Sequence, residues 1–182
     1  MFRGTLKNTV LCGKLAWNRR EPASERRTSY AMDIKLLGVC GLYCGACYHY
    51  RASLPGGEHL LAEDARQGRP LQGFTCQGCR SDSLYIYPGC AECALRTCAE
   101  EKGIVHCGLC AEYPCARLKA FQSDGRPHHA DVLNNLEALK ALGPERWLAG
   151  QEQRWRCDCG AGFSWYEERC YDCGADLDAY SS

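Results

Sequence analysis

Branched aliphatic residues are nearly missing from this chain. Valine and isoleucine together number seven in 182 residues, and Leu, Ile, Val and Phe together only 31. So few strand formers argue against a large sheet. An aliphatic share this low is typical of chains that do not fold, but those also carry a high net charge, and here the formal net charge is zero. Some other source of stability is required. No apolar run approaches the length of a membrane-spanning helix, and MFRGTLKNTVLCGKLAWNRR lacks the uninterrupted apolar segment of a secretory signal. There is no phosphate-binding or dinucleotide-binding glycine pattern and no G-x-S-x-G elbow. With no catalytic constellation, the chain reads as a non-enzymatic protein.

What is abundant is cysteine, with sixteen residues, fifteen of them after residue 39 in tight groups. In a chain without a secretory signal the expected compartment is the reducing cytoplasm, where paired cysteines hold metal rather than form disulfides. Metal also supplies the missing stability, because binding to a site that exists only in the folded chain adds directly to folding free energy.

The spacing is that of metal knuckles, in which a C-x-x-C turn aims two sulfurs at one ion. Cys76-x2-Cys79-x10-Cys90-x2-Cys93 reads as one four-ligand set. Cys157-x-Cys159-x10-Cys170-x2-Cys173 reads as another, with a first arm one residue short. Cys40, Cys44, Cys47, Cys98, Cys107, Cys110 and Cys115 remain, one short of two further tetrahedral sites. His106, directly before Cys107, is the candidate eighth ligand, and His49 is its competitor. The expected load is three to four zinc ions. An iron–sulfur cluster in electron transfer or redox sensing is the alternative, since thiolates suit both metals, although the ferredoxin run C-x2-C-x2-C-x3-C-P is absent. Cys40-x3-Cys44-x2-Cys47 is also the spacing of enzymes that use a cubane cluster with S-adenosylmethionine, but this chain is too short and too poor in strand formers for their α/β barrel.

The expected fold is small, metal-dominated and mainly α, with irregular zinc-knuckle turns and a short β-hairpin zinc ribbon at the C-terminus. Residues 1–31 are expected to be a basic, disordered extension of net charge +5, which contains the isolated Cys12; the rest carries −5. The compact protein is expected to start at Met32. Residues 32–120 form the cysteine-rich multi-zinc domain, 121–153 a helical linker and 154–176 the ribbon-like module. Helices are expected over 57–68, stopping at Gly68–Pro70, over 94–102, and from near Pro114 through Leu118. Another is capped by Asp131, carries Val132, Leu136 and Leu139 on one face and closes at Gly143–Pro144, where Pro144 opens the next. CAECALRTCAE and CGLCAEYPCAR repeat C-x2-C-x4-C seventeen residues apart. His128 and His129 read as solvated surface. The acidic body has the wrong sign for phosphate contacts, so a protein partner is expected ahead of nucleic acid. The basic N-terminal arm, or base stacking on Trp155, Phe163, Trp165 and Tyr166, is the route left to nucleic acid.

The segments CGLYCGACYHY (40–50), CQGCRSD (76–82) and CAECALRTCAEEKGIVHCGLCAEYPCARL (90–118) together resemble a family of cysteine-rich bacterial and archaeal proteins known as domain of unknown function 3795. The resemblance covers residues 38–120. It implies the eleven cysteines from Cys40 to Cys115 as metal ligands and offers no substrate. The C-terminal part resembles the zinc-ribbon tail of some members, departing from it in the shortened CDCG arm.

Overall fold

The computed structural model describes residues 34–66, 75–82 and 85–181. The basic extension with Cys12 and the expected stop at Gly68–Pro70 lie outside these residues. Seven α-helices are described: α1 (Tyr48–Arg51), α2 (Glu58–Arg66), α3 (Pro88–Ala91), α4 (Ala94–Glu101), α5 (Ala116–Gln122), α6 (Pro127–Ala130) and α7 (Val132–Arg154). Most are short, and three of them start directly after a cysteine. Cys47, Cys93 and Cys115 hold the N-cap positions of α1, α4 and α5.

The core forms where helix α7 meets the loop that follows Leu36. Val132, Leu136 and Leu139 lie at helical spacing and are almost fully covered. They pack with Leu37, Val39, Cys40, Tyr43 and Ala46, with Leu95 and Ala99 of α4, and with Leu118 of α5. Gly41, at φ +91°, crosses this face so closely that a Cβ would stand 2.8 Å from Leu136 Cγ. Helix α7 breaks at Gly143, whose φ of 77° and ψ of 160° are not helical, and resumes at Pro144. Beyond the break Trp147 and Leu148 continue the buried face.

The C-terminal segment corrects the expected β-hairpin ribbon. Among the described residues there is no sheet, only isolated antiparallel bridges: Leu37 with Tyr43, Arg156 with Gly162, and Arg169 with Asp176. Each cysteine arm folds back on itself, with Cys157 N–H bonded to Ala161 O and Cys170 N–H to Ala175 O. The segment between the arms bonds elsewhere: Trp165 N–H goes to Ala46 O, and Trp165 O receives Tyr180 N–H. With those groups engaged, no ladder forms between the arms. Trp155, Phe163 and Trp165 are buried in the same core as α7, so packing within the chain takes the rings that base stacking would need. No described helix is long and apolar enough to cross a membrane.

Two further expectations change. Asp131 precedes α7 but makes no side-chain cap; its carboxylate instead accepts the Tyr180 hydroxyl at 2.6 Å. His128 and His129 are not solvated. His129 is 3% exposed, and its Nδ1 lies 2.9 Å from the Asp124 carboxylate, with the ring stacked on Phe121. His128 stacks on Trp165 with ring centroids 4.0 Å apart, and the Tyr166 hydroxyl stands 2.6 Å from its Nδ1. These contacts fasten α6 to the segment between the two C-terminal cysteine pairs. Burial, then the neighbouring His129 and Arg126, push His128 down from its ordinary 6.5 to about 3, so its ring is neutral at neutral pH.

Two outcomes follow. Leu136→Ala should cost about 2–5 kcal/mol in unfolding free energy, the range for a fully buried leucine, whereas Leu142→Ala, at an exposed position, should change the melting temperature little. The second concerns pH. A histidine with a depressed folded pKa contributes stability above its unfolded value near 6.5 that is lost as pH falls toward the folded value. His128→Phe keeps the stacking and removes the titration, so its melting temperature should fall less steeply than wild type between pH 6.5 and the folded value of about 3. Equal slopes would show that His128 does not titrate in this contact.

Candidate metal centre

Cys157, Cys159, Cys170 and Cys173 bring their sulfurs together, all within 4.8 Å of one another. Cys157 and Cys173 are 3.6 Å apart, as are Cys159 and Cys170. A zinc–sulfur bond of about 2.3 Å gives a tetrahedral edge of about 3.8 Å, so the donor set fits a single thiolate-bound ion. The short C-x-C arm reaches the cluster because the chain reverses at once: Gly160, at φ 97°, returns its N–H to Cys157 O at 2.8 Å. Cys157 and Cys170 are buried, while Cys159 and Cys173 are exposed, which leaves one side of the cluster open to solvent.

The electrostatics fit a cation. Cys170 is held down to about 7, first by the backbone N–H of Cys173, against burial, with help from that of Asp172. The other three thiols are raised. The N–H groups of Cys159, Ala161 and Ala175 favour their thiolates, but the sulfurs around them, with burial at Cys157, outweigh this. The first proton leaves easily and the rest resist, as expected of four sulfurs that cannot all ionise without a positive ion between them.

The remaining cysteines gather around the loop that feeds the core. Cys40 and Cys76 are buried; Cys44, Cys47, Cys79, Cys90, Cys93, Cys98, Cys107, Cys110 and Cys115 are half-buried. Burial pushes Cys40 well above the ordinary thiol range, with Cys79, Cys93 and Cys107 adding to it. Burial does the same to Cys44, joined by Cys79, Cys47 and Cys40. Cys47 is pushed up to about 11 by burial against the N–H groups of Tyr50 and His49, with Cys76 and Cys79 beside it. Cys90 rises to about 12 through burial and Cys47, Cys79 and Cys76. Cys107 rises to about 11 through burial and Cys115, Cys98 and Cys110. These thiols are near neighbours. Among the described residues, however, the C-terminal four are the group of metal-binding side chains whose donor atoms all fall within 4.8 Å of one another.

The two candidate histidines sit differently. His106 is 3% exposed and is pushed below its ordinary value by burial and by Arg80 and Lys140; its Nδ1 is buried without a hydrogen-bond partner among the described residues. His49 stacks on Tyr87 with ring centroids 3.6 Å apart, and Tyr87 is three residues before Cys90. Sequence reasoning missed Lys102, whose Nζ lies 3.4 Å from Cys110 Sγ and 2.9 Å from Glu112. No spacing rule links a lysine to a cysteine eight residues on.

Neither a curated protein nor a solved structure matches the chain. Residues 36–120, the segment with eleven of the sixteen cysteines, match the model of a family described as a protein of unknown function, DUF3795.

Proposed function

We propose that this is a zinc protein whose metal ions are structural, and that it acts in the cytoplasm as an interaction or regulatory module for a protein partner. The observation that carries this reading is the C-terminal group of four sulfurs, paired at 3.6 Å, near the edge of a zinc tetrathiolate. Zinc suits the role because it has no redox chemistry to protect and accepts the tetrahedral geometry that the two arms offer. Fifteen clustered cysteines and one histidine supply ligands for four such ions, so the proposed load is three to four.

A protein partner is favoured by charge and by surface. Residues after 31 carry a net −5, and each zinc bound by four thiolates adds negative charge, which opposes phosphate contacts. Large apolar side chains stand exposed at Tyr85, Val105, Leu109, Leu142 and Tyr171. A reducing compartment keeps the thiols available for metal.

Elemental analysis of protein purified without air or added metal tests the reading. The expected result is three to four zinc per chain, negligible iron and a colourless solution. Iron with acid-labile sulfide in comparable amount would overturn it in favour of an iron–sulfur redox protein.

A further inference from the structure

The two cysteine arms of the C-terminal module close independently of each other. In the first, Arg156 bridges to Gly162, Cys157 N–H bonds Ala161 O at 2.7 Å, and Gly160 N–H returns to Cys157 O at 2.8 Å. In the second, Arg169 bridges to Asp176, while Cys170 N–H bonds Ala175 O and Gly174 N–H bonds Cys170 O, both at 2.8 Å. Among the described residues no backbone hydrogen bond joins one arm to the other. Sulfur does join them. Cys157 lies 3.6 Å from Cys173, and Cys159 lies 3.6 Å from Cys170, so both pairs cross from arm to arm.

Exposure divides each pair in the same way. Cys159 and Cys173 are exposed whereas Cys157 and Cys170 are buried, so each cross-arm pair joins one sulfur open to solvent and one covered. None of the eleven thiols from Cys40 to Cys115 is exposed. The thiolate, not the thiol, attacks an oxidant, and a bound divalent ion holds its ligands in that form at neutral pH. An accessible thiolate beside a second sulfur is the arrangement that passes from sulfenic acid on to a disulfide. The closure needed is small, because a separation of 3.6 Å contracts to an S–S bond of about 2.05 Å. Pairing within an arm, Cys157 with Cys159 or Cys170 with Cys173, must instead distort a turn that its own backbone bonds hold.

We propose that Cys159 and Cys173 are sites of oxidation by hydroperoxides, and that Cys170 and Cys157 resolve them into two cross-arm disulfides, Cys159–Cys170 and Cys157–Cys173, with loss of the bound metal. The proposal deepens the zinc reading of this centre and rests on it. The exposed thiolate attacks the terminal peroxide oxygen: an S–O bond forms, the O–O bond breaks, and the departing alkoxide or hydroxide takes a proton from solvent. The buried thiolate of the pair then attacks the oxidised sulfur. An S–S bond forms, the S–O bond breaks, and the hydroxide that leaves is protonated to water. Each pair gives up two electrons and each peroxide accepts two, so two peroxides and four protons turn the four thiolates into two disulfides. A disulfide is no longer an anionic ligand, and one divalent ion leaves per chain. A dithiol reverses the change by thiol–disulfide exchange.

The experiment titrates the full chain, zinc-loaded and freed of reductant, with hydrogen peroxide. Released zinc is followed with a chromogenic chelator, and disulfides are mapped by mass spectrometry without reduction. Cleavage before aspartate and after glutamate places each of the four cysteines on its own peptide. The expected result is one zinc released per two peroxides consumed, with Cys157 linked to Cys173 and Cys159 to Cys170, before any thiol from Cys40 to Cys115 is lost. Dithiothreitol and zinc should restore the starting state. In Cys173→Ser the disulfides formed by this module should fall from two to one, leaving Cys159–Cys170. That variant also lacks a metal ligand, so the wild-type map decides. Disulfides within an arm, sulfinic acid at Cys159 or Cys173 in place of a disulfide, earlier oxidation of the thiols from Cys40 to Cys115, or an unreactive centre would each overturn the proposal. Zinc content measured before peroxide is added separates the two readings: protein isolated without zinc would overturn the zinc reading, while the disulfide map still decides the pairing.

Discussion

Charge repulsion between sulfurs is the constraint on which the rest of this structure depends. Four thiolates within 4.8 Å of one another repel strongly, since two unit charges about 4 Å apart interact by about 4 kcal/mol at an effective dielectric constant of 20. As neutral thiols they would contribute only weak hydrogen bonds. A cation at the centre turns the same four groups from a liability into the strongest link in the module. The raised thiol pKa values at Cys40, Cys44, Cys47, Cys90 and Cys107 have the same origin, because burial and neighbouring sulfurs both oppose ionisation there.

The apolar core and the sulfur clusters share one scaffold. Cys40 belongs to the buried cluster that contains Leu136 and Leu139, and Cys47, Cys79, Cys93, Cys107 and Cys115 pack against it. Trp155, Phe163 and Trp165 join the same core, the first before and the other two between the C-terminal cysteine pairs. With so little aliphatic volume, α7 supplies most of one wall and the loops supply the other. Backbone bonds such as Gly38 N–H to Leu42 O and Cys107 N–H to Val39 O hold those loops, so what fixes the loops also fixes the core.

Much of this was legible in the sequence, and the parts that were not have physical reasons. Cysteine spacing identified the C-terminal donors because knuckle geometry is local. The buried face Val132, Leu136, Leu139 was legible because helical periodicity is local too, and Gly143–Pro144 marked the break in α7. The β-hairpin failed because the backbone groups of Trp165 bond to Ala46 and Tyr180, far away in sequence. His128 and His129 were misread for the same reason: a polar stretch looks solvated until Trp165, Tyr166 and Phe121 are folded over it. Asp131 carries the right residue for a cap, yet Tyr180 competes for its carboxylate. Which of the eleven cysteines from Cys40 to Cys115 come together is likewise a long-range property, beyond the reach of spacing.

The central claim is that metal does the work of the missing aliphatic core, and hydrogen exchange during metal removal tests it most directly. Backbone amides are followed before and after a strong chelator is added under reducing conditions. The account predicts loss of protection throughout the family segment and in both halves of α7, because core and clusters are one unit, with recovery when zinc is restored. Protection that persists at Leu118, Leu136 and Leu139 in the metal-free protein would contradict it and show that the apolar core stands alone.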